Sequence, residues 1–165
     1  EWHLAEKKIC AFLVAADFAE CNIAGTIMVW LLYPSLVKGY FVECNEAAVK
    51  MFGLDREKLF SIHPSKISPK FQPEGINSFE KSEEMMKIAL EKGSNRYRCN
   101  QQHKNGHVFP TEVTLTRINE DVGGFTIHVV VSDITERVKK EALEDVLYNI
   151  SKAALTIIDF QELFV

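Results

Sequence analysis

The feature that constrains the fold most is a series of three alternating segments that leads directly into a helix. Residues 95–104, 107–118 and 125–133 carry inward and outward side chains at alternate positions, which is the period of a half-buried β-strand. Between the first two, Asn105-Gly106 supplies the positive φ angles of a tight hairpin turn. After Asp133 the sequence D-I-T-E-R changes to the period of a helix. We therefore expect a three-stranded meander with one face in the core.

The segments before the meander predict two more strands and several helices. Strands are expected at 26–32 and 39–45, where β-branched and aromatic residues dominate. Asn45 is a suitable N-cap for a short helix that Gly53 ends, and Asp55 is a candidate cap for a second one. Residues 63–75 carry several prolines, so we expect an irregular crossing loop there. A longer helix follows at 76–93.

Composition narrows the class of protein. The net charge of -4 and the pI near 5.8 provide no basic surface for nucleic acid or anionic lipid. The four cysteines form no C-x-x-C pair, so we interpret them as reduced thiols of a cytoplasmic protein. The longest uncharged stretch, 23–37, is shorter than the roughly 20 residues of a spanning helix, and Pro34 interrupts it. We expect no membrane insertion by this segment.

Three segments together resemble the PAS domain family. They are F-V-E-C-N-E-A-A-V-K-M-F-G-L-D-R-E-K-L, K-N-G-H-V-F-P-T-E-V-T-L-T and V-V-V-S-D-I-T-E-R, and the resemblance covers about residues 27–137. It implies an α+β fold in which a five-stranded antiparallel sheet has short helices on one face, with a cavity between the sheet and the long helix. The D-I-T junction would then relay a signal through Asp133 and Thr135, whose side chains can also cap a helix start.

The resemblance extends to the organisation of the chain. We expect an N-terminal amphipathic helix over residues 1–22, a PAS domain over 23–135 and a signalling helix over 136–165. The last segment resembles the connector to a GAF domain in bacterial and archaeal sensor proteins. It implies a piece of a longer signalling protein, first a histidine kinase and second a diguanylate cyclase, whose enzymatic part lies outside this segment. Residues 31–39 depart from the family pattern, and their role stays open.

Alternation and helix spacing together define a candidate binding surface. Its apolar character with a few polar groups suits a small organic ligand, although the same side chains could close-pack with no cavity. The candidate ligand-binding residues are Met85, Met86, Leu90, Tyr97, Cys99, Gln101, Thr111, Val113, Leu115, Ile127, Val129 and Val131.

The cofactors of better-known PAS domains fit this sequence poorly. The iron ligand of haem-binding members lies on the long helix, which has no histidine here, and the light-sensing flavin subgroup uses a cysteine in the preceding loop, where this chain has none. Cys99 is interpreted as a small buried side chain. The cofactor is therefore unknown, with haem and flavin disfavoured.

The C-terminal segment carries a possible dimer seam. Apolar residues step by three and four positions, as in two heptads of a coiled coil, although such a stripe could also cover the chain's own sheet. The seam residues are Leu143, Val146, Ile150, Ala153 and Ile157. Two hypotheses follow, a ligand-binding sensor that forms a homodimer and a ligand-free dimerisation spacer.

Overall fold

The antiparallel sheet and its helices give the α+β architecture of the fold. The structure is a computed structural model that describes residues 26–32, 40–119 and 125–162. Its sheet runs in the order β2-β1-β5-β4-β3, and all neighbouring strands are antiparallel. The strands are β1 (Thr26–Leu32), β2 (Tyr40–Cys44), β3 (Ser94–Gln102), β4 (Val108–Asn119) and β5 (Phe125–Asp133). The predicted α+β class and antiparallel sheet are confirmed.

Four helical segments connect β2 to β3. They are α1 (Glu46–Phe52), α2 (Arg56–Ser61), a 3₁₀ helix (Pro64–Ile67) and α3 (Ser78–Lys92). Asn45 caps α1 as predicted, because its side-chain oxygen accepts a hydrogen bond of 3.0 Å from the Ala48 N–H. Gly53 and Gly93 end α1 and α3 in the left-handed conformation, which a residue without Cβ adopts most easily.

The predicted crossing loop at 63–75 contains regular structure, so that prediction is partly wrong. A 3₁₀ helix begins at Pro64, whose fixed φ is compatible with a first helical turn. The His63 ring caps it, since Nδ1 accepts a hydrogen bond from the Ser65 N–H at 3.2 Å. A segment with several prolines can therefore contain the start of a short helix, here the 3₁₀ helix at Pro64, as well as a loop.

The hairpin turn between β3 and β4 also differs from the prediction. Gly106 has a φ of 91°, but among the described residues every positive φ belongs to a glycine, so Asn105 does not share it. The Gly106 N–H donates to the His103 carbonyl at 2.9 Å, and the His103 N–H donates to the His107 carbonyl at 2.9 Å. This pattern is typical of a three-residue loop in which a turn is followed by one left-handed glycine, rather than of a two-residue turn.

The core lies between one face of the sheet and the helices. Alternate residues of β4 and β5 are buried, among them Val113, Leu115 and Ile127, as the period of two requires. From the helical side they meet Phe52, Leu59, Ile67, Met86 and Ala89, all within the same buried cluster. The predicted core face of the meander is therefore correct.

The last helix, α4 (Thr135–Glu162), has 28 residues and belongs to a separate compact unit that begins at Ile134. At about 1.5 Å per residue it is about 42 Å long. No helix in the described ranges is long and apolar enough to span a bilayer. The predicted N-terminal helix at 1–22 and most of the unusual segment at 31–39 lie outside the described residues.

Candidate functional site

A small cavity lies between the inner face of the sheet and the helices. Its volume is about 30 Å³, room for one or a few small atoms or a water molecule. Strands β2 to β5, the 3₁₀ helix and α3 all contribute to its walls. The lining residues are Phe41, Pro64, Ile67, Ser82, Met86, Tyr97, Gln101, Val113, Leu115, Val129 and Val131.

The structure brings together part of the predicted ligand-binding set. The members that line the cavity are Met86, Tyr97, Gln101, Val113, Leu115, Val129 and Val131. The members that lie outside its lining are Met85, Leu90, Cys99, Thr111 and Ile127. Alternation assigns a side chain to a face of the sheet, but α3 and the 3₁₀ helix cover that face unevenly. Membership of the face therefore does not guarantee contact with the cavity.

The predicted residues outside the lining have other roles in the fold. Met85 receives a hydrogen bond from Asn95 at its carbonyl oxygen, 3.0 Å away, and the Leu90 carbonyl receives one from Arg117 at 2.7 Å. Thr111 and Ile127 are fully buried. The Thr111 hydroxyl donates to the Cys99 carbonyl at 2.9 Å, so this side chain links β4 to the neighbouring strand β3.

Four lining residues were not predicted from the sequence. Ser82 lies one helical turn before Met86, so the spacing of four along α3 could have identified it. Phe41 is on β2 and is almost fully buried. Pro64 and Ile67 belong to the 3₁₀ helix, and a segment without hydrophobic periodicity carries no local signal of what it faces.

Gln101 supplies a fixed polar group to the cavity wall. It is only 6% exposed, and its Oε1 accepts a hydrogen bond of 2.9 Å from the Ser68 hydroxyl. Its Nε2 lies 3.5 Å from the Cys99 sulfur. These partners hold the amide in one orientation, as expected for a buried polar side chain.

The cavity environment is neutral and mostly apolar. None of the residues that line it in the described structure carries a charge. Burial raises the pKa of the Tyr97 hydroxyl well above its usual range, with the nearby Cys99 as a smaller cause, and burial also raises the pKa of the Cys99 thiol. Both groups are therefore protonated near neutral pH, and Tyr97 can act as a hydrogen-bond donor.

The residues around the cavity do not match the chemistry of haem or a photoreactive flavin. Helix α3 has no histidine, and residues 63–75 include no cysteine, whereas haem iron needs an axial side-chain ligand. His63 instead lies 2.9 Å from the Ser65 hydroxyl and 3.2 Å from the Glu83 carboxylate. The cavity volume is also about one tenth of the smallest typical site for a drug-sized ligand.

The last strand connects the cavity to the predicted relay residues. Val129 and Val131 line the cavity, β5 ends at Asp133 and α4 begins at Thr135. Two residues of extended strand span about 6.6 Å. A change in the position of Val131 therefore has a short covalent path to the start of α4.

The seam residues of α4 are exposed where their side chains are described. Leu143, Val146 and Ile150 are 59%, 53% and 60% exposed, and Ala153 is exposed as well. The side chain of Ile157 lies outside the described residues. The predicted stripe thus exists on the helix surface through residue 153.

The sequence profile of the PAS domain family matches residues 28–136, well over half of the chain. The chain therefore belongs to the PAS domain family, a family of sensory domains. No curated protein matches the sequence significantly.

Solved structures give the same fold. An RNA-binding light-oxygen-voltage receptor aligns with a TM-score of 0.66 and 16% identity, covering 88% of this chain and 39% of that receptor. A PAS domain from a two-component sensor histidine kinase aligns with a TM-score of 0.53 and 16% identity, covering 79% and 98%. A PAS domain from the fruit-fly ELK potassium channel gives 0.57 and 15%, covering 75% and 98%. At these identities the likeness shows the fold alone.

Proposed function

We propose that this chain is a sensor module that binds a small organic ligand in the cavity between β3 to β5 and α3. The observation that carries the proposal is a neutral cavity whose walls are mostly apolar but include Tyr97, Gln101 and Ser82. An apolar pocket with a few polar groups is the usual design of a small-molecule site.

Occupancy of the cavity would be relayed by β5. Two of its side chains, Val129 and Val131, line the cavity, and the strand continues through Asp133 to Thr135 at the start of α4. A ligand that displaces these valines would bias the position of the junction. Coupling of this kind is typically worth about 1 to 3 kcal/mol.

The parent protein would be a cytoplasmic signalling protein of a bacterium or archaeon. A histidine kinase is our first proposal and a diguanylate cyclase the second, with α4 as the connector to a GAF-like domain. The segment itself would be regulatory and not enzymatic. The support is the resemblance of residues 136–165 to such connectors.

The second candidate function is a homodimerisation spacer without a ligand. Two observations favour it, the small volume of the cavity, about 30 Å³, and the exposed stripe on α4. In this case the core is well packed without a ligand, and the stripe on α4 pairs with the same stripe of a second copy of the chain.

Native mass spectrometry of the purified protein, with two matched variants, separates the candidates. Val129→Phe fills the cavity, whereas Val130→Phe adds the same volume to the opposite, half-buried face of β5. We expect excess mass on the wild type and on Val130→Phe but bare polypeptide mass for Val129→Phe. The spacer would instead give bare mass for all three, with a loss of stability of about 1 to 3 kcal/mol as the only effect of Val129→Phe.

A further inference from the structure

The Tyr97 hydroxyl differs from the other polar groups of the cavity wall. Gln101 accepts a hydrogen bond from Ser68 at 2.9 Å, and the Ser82 hydroxyl donates to the Phe79 carbonyl at 2.8 Å. Tyr97 packs partly buried against the core, and no described residue forms a hydrogen bond with its hydroxyl. Tyr97 lines the cavity, so its hydroxyl is available to a molecule that occupies this space.

The protonation state of the Tyr97 phenol determines whether a molecule in the cavity has to accept or donate the hydrogen bond. Because burial raises its pKa, the hydroxyl keeps its proton near neutral pH and can donate it in a hydrogen bond. A partner in the cavity would therefore present an acceptor such as a carbonyl or ether oxygen.

The rest of the wall excludes a charged partner. The described lining residues include no acidic or basic side chain, and a charge placed in such an environment without compensation is strongly unfavourable. The apolar side chains Val113, Leu115 and Val129 would contact the body of the molecule.

We propose that the ligand of this sensor is a neutral molecule with an apolar body and one oxygen acceptor, and that the Tyr97 hydroxyl donates a hydrogen bond to that oxygen. This inference rests on the proposed ligand-binding function. It adds the chemical class of the ligand and assigns the residue that selects it.

Entry of such a molecule requires the wall to adapt. A volume of about 30 Å³ accommodates only a few atoms. Met86 forms part of the wall, and a methionine side chain is flexible enough to repack around a ligand. Its methyl group is therefore a suitable reporter of occupancy.

The test compares cyclopentanone with methylenecyclopentane, which have nearly the same shape but differ in the oxygen acceptor. Both are titrated into protein labelled with ¹³C at the methionine methyl groups, and NMR follows Met86, with the methyl of Met51 outside the lining as the internal control. The dissociation constants are measured for the wild type, Tyr97→Phe and Tyr148→Phe. Tyr148→Phe is the matched control because it removes the same hydroxyl from a ring that is 67% exposed and lies outside the cavity lining.

We expect Tyr97→Phe to weaken cyclopentanone about five- to tenfold relative to methylenecyclopentane, the net value of one neutral hydrogen bond. Tyr148→Phe should leave this ratio unchanged. If both compounds shift Met86 and the ratio is equal in wild type and Tyr97→Phe, water or a protein group satisfies the hydroxyl, and the inference is overturned while the binding site stands. If neither compound shifts Met86 up to its solubility, the cavity is not a ligand site, and the proposed function fails with the inference.

Discussion

At the residue scale, Gly53 shows how one position joins two parts of the fold. It ends α1 with a φ of 66°, and a Cβ built there would overlap the ring of His103 in the β3–β4 hairpin. The next residue of the hairpin, Lys104, donates its N–H to the Phe52 carbonyl at 3.0 Å. Gly53 therefore ends α1 and, because it has no Cβ, leaves room for the His103 ring of the hairpin.

We expect Gly53→Ala to destabilise the protein more than Gly75→Ala does. Both glycines have positive φ, so both substitutions cost about 1 to 2 kcal/mol of backbone strain. A Cβ on Gly75 would meet nothing within 4 Å, so the excess cost of Gly53→Ala measures the overlap with His103. Urea denaturation of the two variants gives this difference, and equal costs would contradict the contact.

The buried phenol and thiol at Tyr97 and Cys99 should make stability depend on alkaline pH. Their pKa values are raised by burial from ordinary values near 10.0 and 9.0, so the folded chain binds these protons more tightly than the unfolded chain. Stability is therefore complete below pH 9 and falls as pH rises, by up to about 1.4 kcal/mol per unit for each proton.

Urea denaturation between pH 8 and pH 11 checks this dependence. Tyr97→Phe should remove the part of the decline above pH 10, whereas Tyr148→Phe is the control because that ring is 67% exposed. A decline of the same slope in both variants would show that the Tyr97 phenol is not responsible.

At the element scale, Gln72 fastens the segment before α3 to the edge of the sheet. Its side chain is 4% exposed and pairs with the backbone of edge strand β3 as a neighbouring strand would. Its Oε1 accepts from the Asn100 N–H at 2.7 Å, and its Nε2 donates to the Asn100 carbonyl at 3.1 Å. The same Nε2 lies 2.7 Å from the Ser78 hydroxyl at the start of α3.

We expect Gln72→Leu to lower the free energy of unfolding by about 1 to 3 kcal/mol, because it leaves buried polar groups without partners. Gln102→Leu is the matched control, since the amide of Gln102 forms an exposed hydrogen bond with the Gly106 carbonyl. Chemical denaturation compares the two. A control as destabilised as Gln72→Leu would contradict the special role of Gln72.

The exposed stripe of α4 makes a prediction about self-association. Ile150 lies in the heptad seam, whereas Tyr148 lies outside it, and both are exposed, 60% and 67%. If the helix pairs through its seam, Ile150→Glu should weaken a dimer at least tenfold and Tyr148→Glu should not. Sedimentation equilibrium measures both. Equal effects, or a monomeric wild type, would contradict pairing through this seam.

Local patterns in the sequence predicted much of the secondary structure. The segment 26–32 was predicted as a strand from its β-branched and aromatic content and is β1, and the segment 125–133 was predicted from its alternation and is β5. Both signals are properties of the segment itself. The hairpin turn was predicted incorrectly at Asn105, since the same Asn-Gly pair fits two loop lengths whose choice depends on the flanking register.

The cavity was less predictable because it is assembled from distant segments. Tyr97 and Val129 follow from the alternation of their own strands. Pro64 and Ile67 reach the cavity only through the path of the 3₁₀ helix, and the pairing of Gln72 with Asn100 joins residues whose partnership no short-range pattern encodes.

At the scale of the whole molecule, the proposed sensor couples a cavity in one compact unit to a helix in the next. The sheet face supplies the cavity, β5 contributes Val129 and Val131 to it, and α4 follows after Asp133. A sensor needs this connection to respond to the contents of the cavity, whereas a spacer needs only the two parts to be stable.

The most direct test is amide hydrogen exchange along α4 in the wild type, Val129→Phe and Val130→Phe. The wild type and Val130→Phe are expected to carry the ligand with which they are purified, whereas Val129→Phe excludes it because the larger side chain occupies the cavity. Exchange is read from Val138 onward, where the amide donates to the Ile134 carbonyl at 2.9 Å. We expect about a 5- to 150-fold change in the exchange rates of α4 for Val129→Phe alone. Identical rates in all three proteins would contradict the sensor account.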